Sequence, residues 1–203
     1  MRRFITGTVA VLAVASAGMA QAQSPVGLEL RGGVALPTAD FGAATLDAGG
    51  GGGFTINYRF LPHMLAYAGW DWFLLRTDEP FAGADYDVEN NGYAFGLQFQ
   101  HPVLKDVGYW VRAGGLYNHI ELEDSNGDQI ADSGHDLGWE AGGGLRVPLG
   151  QHFALTPGVR YRTLSTDLSV GQTTYPVDLS YVTAEIGVQY NFGARRVTSA
   201  LVR

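Results

Sequence analysis

Cysteine is absent from this 203-residue chain, so no disulfide staples it and its order must come from burial and hydrogen bonding. After residue 22 no stretch reaches the roughly 18 uninterrupted apolar residues that a membrane-spanning helix requires. Basic residues are scarce too. Past the first 22 positions, 11 Arg and Lys stand against 20 Asp and Glu, a net charge near −9. That excludes nucleic acid as a partner, because its binding needs basic surface to displace counterions. What the chain does have is glycine, 29 of them, and 12% aromatic residues, a composition that points away from helices and toward strands.

The N-terminus reads as an export leader. Arg2 and Arg3 precede an uncharged apolar or small stretch, FITGTVAVLAVASAGM (4–19), and Ala20, Gln21 and Ala22 form the small-x-small pattern of a signal-peptidase site. The expected division is therefore a cleaved signal peptide over 1–22, one domain over 23–192 and a tail over 193–203.

One motif recurs along the mature chain. In AEIGVQYNF, Ile186, Val188, Tyr190 and Phe192 alternate with Glu185, Gly187, Gln189 and Asn191, which is the period of a strand with one apolar and one polar face. GFTINYRF (53–60), YAFGLQFQ (93–100), GWEAGGGLRV (138–147) and FALTPGVRYR (153–162) repeat it. Weaker versions lie at 26–36, 64–76 and 108–120. With 179–192 these predict eight strands. The connectors alternate short (61–63, 101–107, 148–152) and long (37–49, 77–91, 121–136, 166–178). The long ones carry 15 of the 20 acidic residues and no Arg or Lys. The predicted fold class is all-β: an eight-stranded antiparallel up-and-down transmembrane β-barrel with tight turns at one end and acidic loops at the other.

The direction of the two faces follows from volume. An eight-stranded barrel encloses only about enough room for its own inward side chains, so it cannot take every aromatic inward. Turned outward, they form a lipid-facing belt. Phe60, Phe99, Tyr109, Phe153, Tyr190 and Phe192 ring the short-turn end, and Trp72, Tyr93, Tyr117, Trp139 and Tyr161 the long-loop end. The inward set is then Glu29, Arg31, Arg59, Asp71, Gln98, Arg112, Glu140, Arg146, Arg160, Arg162, Glu185 and Gln189. Six arginines and four carboxylates in a narrow bore are expected to interlock as salt bridges. They make either a gated ion path or, the preferred reading, a polar plug.

LPTADFG after the first strand, GGGGGFTINYRF, and PGVRYR before EIGVQYNF together resemble the small outer-membrane β-barrel superfamily of Gram-negative bacteria, the OmpA/OmpX-like and OmpW-like proteins. The resemblance implies residence in the bacterial outer membrane amid lipid and lipopolysaccharide. It also implies delivery by the barrel-assembly machinery, with Glu185, Gly187, Tyr190 and Phe192 as the assembly signal; here the chain continues past that signal as GARRVTSALVR. A monomer is expected. The superfamily includes a lipid A deacylase with a His-x-Ser pair on its outer rim. Here His119 is followed by Ile120 and Glu121, so no enzymatic activity is expected.

Asp124, Asn126, Asp128 and Asp132 occupy positions 1, 3, 5 and 9 of a calcium-loop template, but Gln129 and His135 stand where glycine and glutamate are required. The stretch reads as a solvated acidic turn, and neither metal nor cofactor is expected. The functional expectation is a charge-plugged outer-membrane barrel with a structural or surface-interaction role. The alternative is a small passive channel for small solutes or apolar compounds.

Overall fold

The structure, a computed structural model, describes residues 25–42, 45–77, 86–104, 107–124, 129–170 and 173–193. The leader (1–22), Lys105 and the tail from residue 194 lie outside these. Nine strand segments follow one another: β1 (Val26–Pro37), β2 (Asp47–Leu61), β3 (Met64–Arg76), β4 (Tyr86–Leu104), β5 (Val107–Asp124), β6 (Gln129–Leu149), β7 (Phe153–Leu155), β8 (Gly158–Val170) and β9 (Thr173–Asn191). Each lies antiparallel to its neighbours, and the ring closes where β1 pairs with β9, from Gly27↔Asn191 to Pro37↔Tyr181.

Nine segments make eight staves. β7 and β8 both lie between β6 and β9, and the register on either side of their break is unchanged: Leu155 faces Val147 and Gly158 faces Gly144. Pro157 interrupts the ladder because it has no N–H to give. The backbone still bridges the gap: Thr156 N donates to Gly187 O at 2.9 Å and Leu145 N to Pro157 O at 2.9 Å.

The strands run further than the outward-apolar motif suggests. Of the predicted loop 121–136, residues 121–124 and 129–136 are strand; of 166–178, all but 171–172. The reason is an inversion. Below the level of Tyr93, Tyr117, Trp139 and Tyr161 the outward residues are apolar, with Ile186 65% exposed. Above it the period of two persists but the faces exchange character. On β8, Thr163, Ser165 and Asp167 turn outward while Leu164 and Leu168 are buried within; on β4, Glu89 and Asn91 stand outside Val88. A barrel that rises out of lipid into water must invert in this way, because its outer surface changes solvent while its bore does not.

Inward glycines make room for the large side chains of neighbouring staves. A Cβ at Gly114 would collide with the Tyr67 hydroxyl and the Phe95 carbonyl, and one at Gly158 would enter the Trp110 ring. Gly158→Ala should therefore lower stability by about 1–3 kcal/mol, the usual cost of overpacking. Gly32→Ala, whose Cβ would meet only Gly51 O at 3.5 Å, should be nearly neutral. Urea midpoints of the two variants in lipid vesicles test the difference, and equal midpoints would refute the packing argument.

Candidate functional site: the charged belt of the bore

Inward parity on six staves brings seven ionic side chains to one level: Arg31 of β1, Asp71 of β3, Arg112 of β5, Glu140 of β6, Arg160 and Arg162 of β8, and Glu185 of β9. Each carboxylate is shared by two arginines. Asp71 pairs with Arg31 and Arg162; Glu140 with Arg112 at 2.7 Å and Arg162 at 2.8 Å; Glu185 with Arg160, and with Arg31 at 3.1 Å. Neutral donors occupy further lone pairs: Tyr67 Oη donates to Glu140 at 2.7 Å and Thr183 Oγ1 to Glu185. Arg31 donates to Thr55 Oγ1 as well as to Asp71. Three guanidinium groups also lie over rings, Arg112 on Tyr67 at 4.5 Å, Arg160 on Trp110 at 5.6 Å and Arg162 on Phe73 at 5.3 Å.

The arrangement is chemically static. Sharing every carboxylate between two arginines keeps the charges paired in a space where an isolated one would be costly. Arg162 is 0% exposed, Asp71 and Glu140 1%. Side chains around a water-filled bore would retain accessible surface, and these have almost none.

Three of the expected members stand apart from the belt. Glu29 is inward and buried, but it accepts a hydrogen bond from Thr156 Oγ1 and has no arginine partner among the described residues. Arg59 lies toward the short-turn end and donates to Pro62 O at 2.8 Å and Gln100 Oε1 at 3.0 Å. Arg146, at the same end, has no carboxylate among the described residues. Gln98 and Gln189 are buried and inward, with Gln189 Nε2 donating to Asn191 Oδ1 at 3.1 Å. Tyr67 and Thr183, which complete the belt, carry no charge and were not singled out from the sequence; only their place on the inward parity of β3 and β9 marks them.

Above the belt the bore is largely apolar, with Asn90 and Asn118 buried in it: Asn90 Nδ2 donates to the Tyr181 hydroxyl at 3.4 Å and Asn118 Nδ2 to Asn90 Oδ1 at 2.7 Å. Phe73, Leu75, Val88, Ile120, Leu122, Leu164, Leu179 and Tyr181 pack together, each no more than 1% exposed. The inward set read from the sequence, all of it polar or charged, therefore covers only the lower half of the bore, where polar residues point inward.

The residues of the expected assembly signal sit at the ring closure. Glu185 belongs to the belt. Gly187 faces Thr156 across a backbone pair, and a Cβ there would strike the Thr156 hydroxyl and the Glu29 carboxylate. Tyr190 packs on Phe153 at 5.1 Å and edge-on against Phe192 at 5.0 Å, and Phe192 N donates to Val26 O at 3.1 Å.

Elsewhere the candidate chemistry is dispersed. Asn126 and Asp128 of the calcium template lie outside the described residues, Asp124 ends β5, and Asp132 Oδ1 accepts from Gly134 N at 2.7 Å to close a turn. His119 Nε2 lies 2.9 Å from Glu121 Oε1. The fold also brings up a serine that the linear pattern does not show: Ser133 Oγ accepts from Ile120 N at 2.9 Å. Its own proton goes to Gly134 O at 2.8 Å, however, and His119 Nδ1 has no hydrogen-bond partner among the described residues, so base and hydroxyl are not joined.

Among solved structures the chain is similar to outer membrane protein OprG of Pseudomonas aeruginosa, at 18% identity over 86% of this chain and 99% of that one, with a TM-score of 0.61. It is also similar to Neisserial surface protein A, at 14% identity over 84% and 99% with a TM-score of 0.58. A third is Escherichia coli outer membrane protein W, at 14% over 86% and 100% with a TM-score of 0.54. No curated protein matches the sequence. At these identities the likeness speaks for the fold, that of small outer-membrane barrels. The sequence itself matches the family described as outer membrane protein beta-barrel domain across residues 7–192, and with its closed eight-stave ring and apolar exterior the chain belongs to that family, a transmembrane β-barrel of the bacterial outer membrane.

Proposed function

We propose that this chain is a sealed outer-membrane barrel, plugged by the charges of its bore, whose role is structural or lies in contacts made by its acidic outer rim. The observation that carries this reading is the burial of the belt: seven ionic side chains pair across the bore with almost no accessible surface, under a packed apolar layer. Its surroundings are lipid and, in the outer leaflet, lipopolysaccharide. It acts as a monomer and without catalysis, since Ser133 and His119 are not coupled. Planar-bilayer recording of the purified protein tests the seal. Discrete conductance steps in the wild-type protein would overturn it.

A second reading, a passive path for small apolar compounds, draws on the apolar upper bore, which offers such a solute a place to dissolve. The charged belt beneath opposes its passage. Uptake of an apolar dye into vesicles at the rate of protein-free controls supports the sealed barrel.

Insertion runs through the barrel-assembly machinery, with the end of β9 as its signal. Phe192→Ala should cut the folded, heat-modifiable fraction in cells several-fold, whereas deletion of residues 193–203 should leave it nearly unchanged. Phe192 holds the last rung beside β1 and an edge-on contact with Tyr190. The reverse ranking would place the signal in the tail.

A further inference from the structure

At the short-turn end the bore opens into a cavity of about 390 Å³ lined by Arg59, His63, Gln100, His101, Tyr109 and Arg146 among others. Its polar groups are unbalanced. Arg59 donates both of its assigned hydrogen bonds inside the protein, one of them to Gln100 Oε1. That fixes the Gln100 amide with its Nε2 turned away. The residue is 5% exposed, and Nε2 has no acceptor among the described residues. Among the described residues Arg146 Nε is likewise buried without a partner, and the neighbouring charge there is Arg59, which repels it.

Buried donors without acceptors are costly, and groups of them call for a ligand that brings acceptors. The charge count agrees. Among the described residues of the lower bore six arginines face four carboxylates, and none of the four pairs with Arg59 or Arg146. The cavity size lies within the range of small-molecule sites, about 300–1,000 Å³.

We propose that this cavity is a binding site for a small organic oxyanion entering from the periplasmic side: its carboxylate or phosphate group lies between Arg146, Arg59 and Gln100 Nε2, and its body rests against Pro62 and Pro148 at the turns. A guanidinium offers two parallel N–H groups to such an anion, which a lysine would not. The site does not depend on whether the belt above it is sealed.

The test uses the whole protein in an uncharged maltoside detergent, with NMR observation of the Arg Nε–Hε and Gln side-chain amide signals. Benzoate and inorganic phosphate are titrated separately at constant ionic strength made up with chloride. Saturable shifts at Arg146 and Gln100 with benzoate, weakened at least tenfold in Arg146→Gln and several-fold in the charge-preserving Arg59→Lys, are expected. Phosphate should bind more weakly, because it leaves the body of the cavity unfilled. Tighter binding of phosphate than of benzoate would overturn the assignment to an organic anion. Shifts that grow linearly with concentration, or that are the same in Arg146→Gln, would overturn the site. Asp106 belongs to the adjoining turn and lies outside the described residues. Binding seen only in Asp106→Asn would show that the arginines already have their counterion, and would also overturn it. Heat-modifiability on gels confirms that each variant is folded; should Arg146→Gln fail to fold, Arg59→Lys and the benzoate–phosphate ranking decide.

Discussion

Glu140→Ala should lower the stability of the barrel by about 3–5 kcal/mol, the cost of leaving a buried charge without its partner. Glu140 faces Arg112 and Arg162 and accepts a hydrogen bond from the Tyr67 hydroxyl, so its removal leaves Arg112 without a carboxylate, Tyr67 without its acceptor and Arg162 with Asp71 alone. No other described carboxylate can move in, because Asp71 is already held by Arg31 and Arg162, and Glu185 by Arg160 and Arg31. Glu140→Gln should cost less, since an amide oxygen still accepts from Tyr67. Asp167→Ala, an outward and exposed position on β8, should be close to neutral, as the loss of a solvated surface charge usually is. Urea unfolding in lipid vesicles, followed by tryptophan fluorescence, orders the three. If Glu140→Ala and Asp167→Ala shared one midpoint, the belt would not contribute to holding the barrel together.

The belt was legible in the sequence because its residues sit on the polar face of strands whose other face is plainly apolar. Arg160 lies between Val159 and Tyr161, Arg162 follows Tyr161, and Glu185 precedes Ile186; a period of two fixes their side of the sheet whatever the exact strand ends. Register was less legible, because no single strand records its partner's offset. Glu29 and Arg31 look equivalent in sequence, yet Glu29 meets Thr156 and Arg31 meets two carboxylates. Arg59 and Arg146 share the parity of the belt but stand near the short-turn end of their strands, beyond reach of its acids. The upper bore was missed for another reason. Outward apolar residues end where lipid gives way to water, so 166–170 and 173–178 read as part of a loop although they continue the ladder with faces exchanged. The inverted alternation of Leu164, Leu168, Val177 and Leu179 with Ser165, Asp167, Asp178 and Ser180 was present in the sequence all along.

Ion conductance should appear only when both layers of the bore are cut. Arg162→Ala removes the fully buried guanidinium at the centre of the belt, but Phe73, Leu164, Leu179 and Tyr181 remain packed above it. An apolar constriction of that kind excludes ions by excluding their water. Phe73→Ala alone opens the apolar layer and leaves the belt intact below, so it too should stay silent. Phe73 and Arg162 are in contact, with the guanidinium 5.3 Å from the ring centre, and the Phe73 ring also leans on Tyr181 at 5.8 Å. Removing both side chains therefore joins two voids into one that spans the boundary between the layers. The double variant should show discrete steps in planar bilayers, with the folded fraction of each preparation established beforehand by heat-modifiability. Steps from Arg162→Ala alone would mean that the apolar layer is no barrier and that the belt by itself closes the bore. Silence from a folded double variant would place a further seal at another level of the bore, with Glu29 and Thr156 the next pair to cut.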